Sequence, residues 1–295
     1  MSPAFTFLVP NNPMLVGASL DVQGADMDGG GLITLTDNDL EIEAASPPPA
    51  SANMVAIPAG TFLMGSPPGS LVVVPEEQPA HLVTITRPFW IGKYEVTQAE
   101  YQAVMGSNPS YHQGASYPNS ASRPVEQVSW YDAVLYCSLL TMQEDAAGRL
   151  ATGYEYRLPT EAEWEYCCRA GTTTDWNVGN FLTCVEANFD QCVGQTSTVG
   201  SYPANPWGLH DTHGNVWEWC FDSWDFSANY PAGPVSDPFV NFLSSGPFLV
   251  FRGGSWPSFF INTRSAYRFG YFPSYAWSDL GFRVVCAPIL NVPAR

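Results

Sequence analysis

The sequence predicts an α+β domain, loop-rich rather than layered, preceded by a short β segment. Three observations carry this reading. The clearest helical stretches are few, and two open on capping boxes, Thr97 with Glu100 and Thr160 with Glu163. Short alternating runs read as strands. Between Arg252 and Arg283, aromatic residues crowd among small and turn-forming ones without helical or strand period. A layered α/β chain would instead alternate strands with long amphipathic helices.

Residues 1–45 read as three short strands, at 5–9, 15–23 and 32–42, divided by Asn11-Asn12-Pro13 and Gly29-Gly30-Gly31. Three strands make a poor core alone, so they pack on the main domain or belong to a larger β module. Residues 46–53, with Pro47-Pro48-Pro49, have linker composition, which leaves 54–295 as the main domain. Residues 55–66 predict two strands joined by a Pro-Ala-Gly turn, 81–85 a third and 89–96 a fourth. Thr97 then caps a helix to 105, and Ser129 caps another over 131–140 with Cys137 on its apolar face. Thr160 caps a third, to 168, and beyond Gly171 the chain reads as irregular with short strands.

Charge limits the partners. The net charge is −17, with Lys93 the only lysine. That opposes nucleic acid and anionic membranes, while suiting solubility and cation binding. No apolar run reaches membrane-spanning length, and no signal peptide is visible at Met1. The seven cysteines include no Cys-x-x-Cys, so a zinc site is not indicated. Few lysines and scattered cysteines lean towards an oxidising, extracellular or cell-surface setting, with the cytoplasm as the alternative. Cys184 and Cys192, eight apart, could close a local bridge, although pairing is not fixed by spacing.

Several blocks occur in order: Ile57-Pro58-Ala59-Gly60-Thr61, Tyr94-Glu95-Val96-Thr97 and Pro124-Val125-Glu126-Gln127-Val128-Ser129-Trp130. They continue with Arg157-Leu158-Pro159-Thr160-Glu161-Ala162-Glu163-Trp164 and with Gly208-Leu209-His210-Asp211-Thr212-His213-Gly214-Asn215-Val216-Trp217-Glu218. Arg252-Gly253-Gly254-Ser255-Trp256 and Gly281-Phe282-Arg283 close the set. Over about residues 54–288 the chain resembles the formylglycine-generating enzyme family, also called sulfatase-modifying-factor domains. The resemblance implies a C-type-lectin-like fold. It also implies an enzyme that oxidises a sulfatase cysteine with oxygen, copper and a cysteine pair.

The residues depart from that chemistry. Ser258 stands where the family has its first cysteine, and the second, due by Thr263, is absent; no cysteine occurs between Cys220 and Cys286. A serine hydroxyl is a hard, un-ionised group at neutral pH and does not replace a copper-binding thiolate. Copper is therefore not expected.

Other implied parts survive. Ser255 and Trp217 match pocket residues. The expected ligand-binding set is Trp217, Ser255, Trp256, Ser258, Phe259, Phe260, Asn262, Phe269, Tyr271, Phe272, Tyr275, Trp277 and Asp279. For any one aromatic, core filling is the better reading; together they suggest a recognition surface. The resemblance implies structural calcium at Asp211 and Glu218 with the carbonyls of Gly214 and Val216, and at Asn188 with the carbonyl of Phe189. Such hard oxygen ligands suit calcium. The competing reading for Glu218 is a buried, hydrogen-bonded carboxylate. His210 and His213 favour structural roles over metal binding. Cys168 and Cys286 correspond to a family disulfide.

Two functions follow. One is a non-catalytic module that binds a protein, peptide or glycan through the loops between Trp256 and Gly281, with no nucleic acid and no membrane span. In its sharper form it is the variable protein of a diversity-generating retroelement: large side chains fill the ligand-facing positions, while Arg264, Ser265, Arg268, Pro273 and Leu280 keep the family type. The other is a formylglycine-generating-type oxidoreductase.

Overall fold

A computed structural model of the chain describes residues 53–224, 230–240 and 247–290. The three strands expected in residues 1–45, and nearly all of the linker, lie outside the described residues.

The strands form three sheets. In the first, β1 (Met54–Ile57) pairs antiparallel with β4 (Phe89–Gly92), which pairs with β11 (Val285–Pro288), which pairs with β5 (Tyr154–Arg157). The second joins β2 (Gly60–Met64), β3 (His81–Ile85) and β7 (Val235–Ser236). The Pro-Ala-Gly turn is therefore a corner that sends β1 and β2 to different sheets, not a hairpin. The predicted fourth strand stops at Gly92, four residues early. A Cβ there would lie 2.9 Å from the Tyr94 carbonyl, because the chain folds back on itself.

Three helices cover these sheets. α1 (Gln98–Met105) and α3 (Glu161–Arg169) begin at the predicted capping boxes of Thr97 and Thr160. α2 (Trp130–Ala146) begins at Ser129 and runs six residues past its predicted end. Its Ser129 cap is also a box, because Asp132 replaces the expected glutamate and its carboxylate accepts the Ser129 N–H at 2.9 Å. Cys137 is buried in the main core with Tyr101, Tyr136, Trp219 and Phe282, as its helix face requires.

The third sheet positions the site. Its order is β10 (Leu280–Gly281), β6 (Trp217–Trp224), β8 (Phe248–Arg252), β9 (Arg268–Tyr271). The region expected to be irregular thus contains an eight-residue strand, β6, buried at all but one position. Burial on both faces removes the alternation by which a strand is read from sequence. β9 likewise places a short strand inside the aromatic stretch.

Cys184 and Cys192 form a disulfide with Cα atoms 5.8 Å apart. The pair implied by resemblance is absent: Cys168 and Cys286 are both free and buried. Cys168 packs beside Trp164 and Cys220, whereas Cys286 lies in the main core on β11, between Trp90 of β4 and Tyr156 of β5.

Candidate ligand-binding surface

The site begins where β8 ends. Arg252 is fully buried and its guanidinium pairs with Glu165 and, at 3.2 Å, with Glu161. Gly253 (φ 94°) and Gly254 (φ 73°) then turn the chain in the left-handed region. A Cβ on Gly254 would sit 2.5 Å from Thr263 Cγ2, so only glycine lets the two ends of this loop meet. The loop closes through a 3-10 turn, Phe260–Thr263.

Arginines hold the frame rather than face a ligand. Arg264 makes a bidentate pair with Glu77 at 2.7 and 2.8 Å. Arg268 meets Glu161 at 2.5 Å, and Arg283 meets both Glu218 oxygens at 2.5 and 2.6 Å. All of these side chains are buried, so the ion pairs bind the frame to α3, to β6 and, through Glu77, to the turn Pro75–Glu77 before β3.

Between these anchors most of the large outward side chains are aromatic, with Ser274 and Ala276 exposed among them. Phe259 (69 % exposed), Phe260, Phe269, Phe272 and Tyr275 are exposed; Ile261, Asn262, Tyr271 and Trp277 are half-buried. Arg264, Ser265, Arg268, Pro273 and Leu280 are buried. Tyr271, Phe272, Tyr275 and Trp277 form one ring cluster, with Tyr271 4.2 Å from Tyr275 and 5.1 Å from Trp277 between centroids. Phe251 extends the cluster to Trp277, Phe269 and Trp217. Phe260 stands apart, stacked on Trp176 at 5.9 Å. The predicted set is thus a run of rings plus a separate loop tip, joined below by a polar centre.

That centre is Ser255, Ser258 and Asp279. The Ser255 hydroxyl donates to Asp279 Oδ2 at 2.6 Å and lies 2.9 Å from the Ser258 hydroxyl. The Ser255 N–H donates to Ser258 Oγ at 3.1 Å. Burial raises the Asp279 carboxyl above its usual range against the Ser255 hydrogen bond, and the Glu126 charge raises it further. Glu126 and His112 were missed by sequence reasoning. Glu126 is fully buried, accepts the His112 N–H at 2.7 Å, and leaves Oε2 without a partner. The His112 ring meets Trp256 edge-on at 5.8 Å. The only sequence signal was that Glu126 lies in the same ordered block as Ser129 and Trp130.

The disulfide loop braces this region. The N–H groups of Asp190 and Gln191 donate to the carbonyls of Ser258 and Trp256, each at 2.8 Å. Thr263, the last position where a second cysteine was due, has its hydroxyl engaged. It donates to the Phe260 carbonyl at 2.7 Å and accepts Trp176 Nε1–H at 3.0 Å. The free cysteines Cys137, Cys167, Cys168, Cys220 and Cys286 are all buried. Burial pushes the Cys168 and Cys286 thiols up to about 11. None resembles a reactive, exposed thiolate.

The positions implied for calcium come together around the 211–218 turn. Asp211 and Asn215 adopt φ of 58° and 61°, and Gly214 (φ 90°) packs so closely that a Cβ would lie 2.2 Å from the Asn188 carbonyl. Asn188 Oδ1 and Asp211 Oδ1 are buried without partners, as cation ligands awaiting an ion would be. Glu218 does not fit as readily: Arg283 takes both oxygens, and Trp164 Nε1–H donates to Oε2 at 2.7 Å. Among the described residues no cluster of three His, Cys, Asp or Glu side chains is arranged to hold a metal. Burial raises Asp211 to about 6, with Glu218 adding to the rise against the Gly200 N–H and Arg283. His213 is structural: Nδ1 donates to the Thr263 carbonyl at 2.8 Å and Nε2 accepts the Asn177 N–H at 3.1 Å.

A cavity of about 210 Å³ lies elsewhere, lined by Met54, Val96, Val104, Tyr136, Leu140 and Tyr156 among others, and includes none of the predicted site residues.

Residues 41–288 match the family described as "Sulfatase-modifying factor enzyme 1-like domain". Among curated proteins, the chain is 31% identical over 277 residues to "Serine/threonine-protein kinase pkn1" of Chlamydia pneumoniae, covering 85% of this chain and 40% of that protein. It thus spans about two fifths of that relative's length. It is 30% identical over 304 residues to the formylglycine-generating enzyme of Streptomyces coelicolor, covering 81% of this chain and 90% of that one. Among solved structures, Treponema denticola variable protein 1 aligns with a TM-score of 0.68 and 29% identity over 80% of this chain and 95% of that one. PvdO from Pseudomonas aeruginosa aligns at 0.67 and 29%, covering 80% and 96%.

Proposed function

Because the chain belongs to the sulfatase-modifying factor enzyme 1-like domain family, we propose that it is a non-catalytic member that binds a ligand through the loops between Trp256 and Gly281. One observation carries this reading: within an ion-paired frame, the positions that the resemblance gives as fixed are buried, while most of the outward ones are large and aromatic. Exposed rings on a braced loop supply contact area at low entropic cost. The similarity to a protein named as a variable protein supports the sharper form, in which the aromatic positions are the diversified ones. A near-repeat of the DNA for residues 252–283, differing at adenines and beside a reverse-transcriptase gene, would establish it; no such repeat would refute it.

The oxidoreductase reading is favoured by relatives named as formylglycine-generating enzymes. Ser258 and Thr263 oppose it, since neither can present a copper-binding thiolate. The disulfide and the exposed aromatic surface suit an extracellular or cell-surface location. No helix among the described residues is long and apolar enough to cross a membrane. Calcium would sit structurally at two sites, one at Asp211 with the carbonyls of Gly214 and Val216 and one at Asn188 with the carbonyl of Phe189, and would supply positive charge there. Glu218 would join only by leaving Arg283.

The test is a binding screen of peptides and glycans, repeated with Phe260→Ala and Trp277→Ala. A saturable ligand that each substitution weakens about tenfold is expected. A ligand insensitive to both would show that the surface is not the site.

A further inference from the structure

Building on that recognition surface, we propose that its polar centre receives a cationic hydrogen-bond donor, the ammonium or guanidinium of a basic side chain on a protein partner. The proton order of the relay requires a donor. Asp279 Oδ2, as a carboxylate oxygen, accepts, so the Ser255 hydroxyl donates to it. Ser255 then has no proton to offer Ser258, and the Ser258 hydroxyl donates to Ser255. Ser258 Oγ also accepts the Ser255 N–H. What Ser258, which is half-buried, has left to present is a lone pair.

Charge selects among donors. Asp279 forms no ion pair among the described residues, and Glu126 has only His112, 3.3 Å away. Glu126 Oε2 is buried with no partner, an acceptor that no donor among the described residues satisfies. The frame arginines are paired with Glu165, Glu77, Glu161 and Glu218, and Lys93 lies over Tyr94. A carboxylate behind a half-buried acceptor favours a cation, and the net charge of −17 steers one inward.

The surroundings fit a cation on a protein. Trp256 and Phe259 flank Ser258 in the loop, and Trp277 precedes Asp279 by two residues; such ring faces attract ammonium and guanidinium groups. The Trp217 N–H holds the Asp279 backbone carbonyl at 2.8 Å. Of the exposed rings in this stretch, Phe259, Phe260, Phe269 and Phe272 carry no hydroxyl and Tyr275 carries one, which matches a largely apolar protein surface around the basic side chain.

The test uses the full chain and an N-acetylated Gly-Phe-Arg-Phe-Gly amide, its citrulline counterpart and a chitosan oligomer, followed by calorimetry. The arginine peptide should bind at least about tenfold tighter than the citrulline peptide. Ser258→Ala, which leaves net charge unchanged, should weaken the arginine peptide about tenfold, and Asp279→Asn should remove the discrimination. No saturable arginine binding, or equal binding of the two peptides, overturns the proposal. So does an undiminished preference in Ser258→Ala, which would mark generic attraction to an acidic chain, or tighter binding of chitosan. A neutral ligand dependent on Phe260 and Trp277 would refute this cation site while leaving the recognition surface standing.

Discussion

The Ser258 hydroxyl is bound to Ser255, and the Thr263 hydroxyl to Phe260 and Trp176, so the first position due for a thiol and the last at which the second could fall both hold hydroxyls engaged in hydrogen bonds. Purified protein given copper, oxygen and a cysteine-containing sulfatase peptide should form no aldehyde above the protein-free control; aldehyde formation would reverse the central conclusion. A second residue-level prediction concerns His213. Burial lowers it to about 4 in the folded chain, and its two bonds require the neutral ring, because a proton on Nε2 would face the Asn177 N–H. Its unfolded value is about 6.5. The folded value is depressed, so this contribution is present above pH 6.5 and is lost as pH falls through 6.5 towards 4, where only the unfolded chain binds the proton. The loss amounts to about 3 kcal/mol. Urea titrations from pH 8 to 4 should show a shallower fall in stability for His213→Gln than for the parent; parallel curves would exclude the assignment. The lack of thiols could be read in the sequence, since residue identity suffices for that. The convergence of Glu126, His112 and Asp279 could not, because it depends on where the loop before α2 meets the strand after Trp277.

At the scale of elements, what was legible is what is local. Thr97 and Thr160 announce α1 and α3 because a capping box is written within four residues. The partners of the strands are not local: β11 completes a sheet begun by β1, and β6 lies between β8 and β10. No window of sequence contains both members of such pairs. The anchoring of the site depends on the second kind of information. Removing the Thr160 cap by Thr160→Ala should cost about 1 kcal/mol. Arg252→Ala takes one of two arginine partners from each of two buried carboxylates, Glu161, which keeps Arg268, and Glu165, which keeps Arg169, and should cost about 3 kcal/mol. Chemical denaturation would measure both. A cost for Arg252→Ala no larger than that of the cap would mean that the network does not hold β8 against α3.

Across the whole molecule, an acidic chain has drawn several carboxylates inside. Most are matched by arginine, but at the 211–218 turn the matching is incomplete. Burial and the neighbouring charges of Asp211 and Glu218 push Glu95 well up, with Arg283 the only counter-charge among the causes. Asp211 Oδ1 and Asn188 Oδ1 face no donor. Cations at the two implied sites would satisfy these oxygens, one on the turn and one on the loop that carries the disulfide and braces Ser258. Since the unfolded chain lacks this arrangement, binding would stabilise the fold, by about 2.7 kcal/mol at a hundredfold excess over Kd. For a domain of this size that corresponds to roughly 5–10 °C in Tm. Chelated protein should therefore melt lower, and added calcium should restore the difference. Asp211→Asn keeps a residue type that tolerates the left-handed backbone (φ 58°), so it should fold and yet respond less to calcium. Identical melting of chelated and calcium-loaded protein would show that hydrogen bonds and Arg283 suffice to hold the turn.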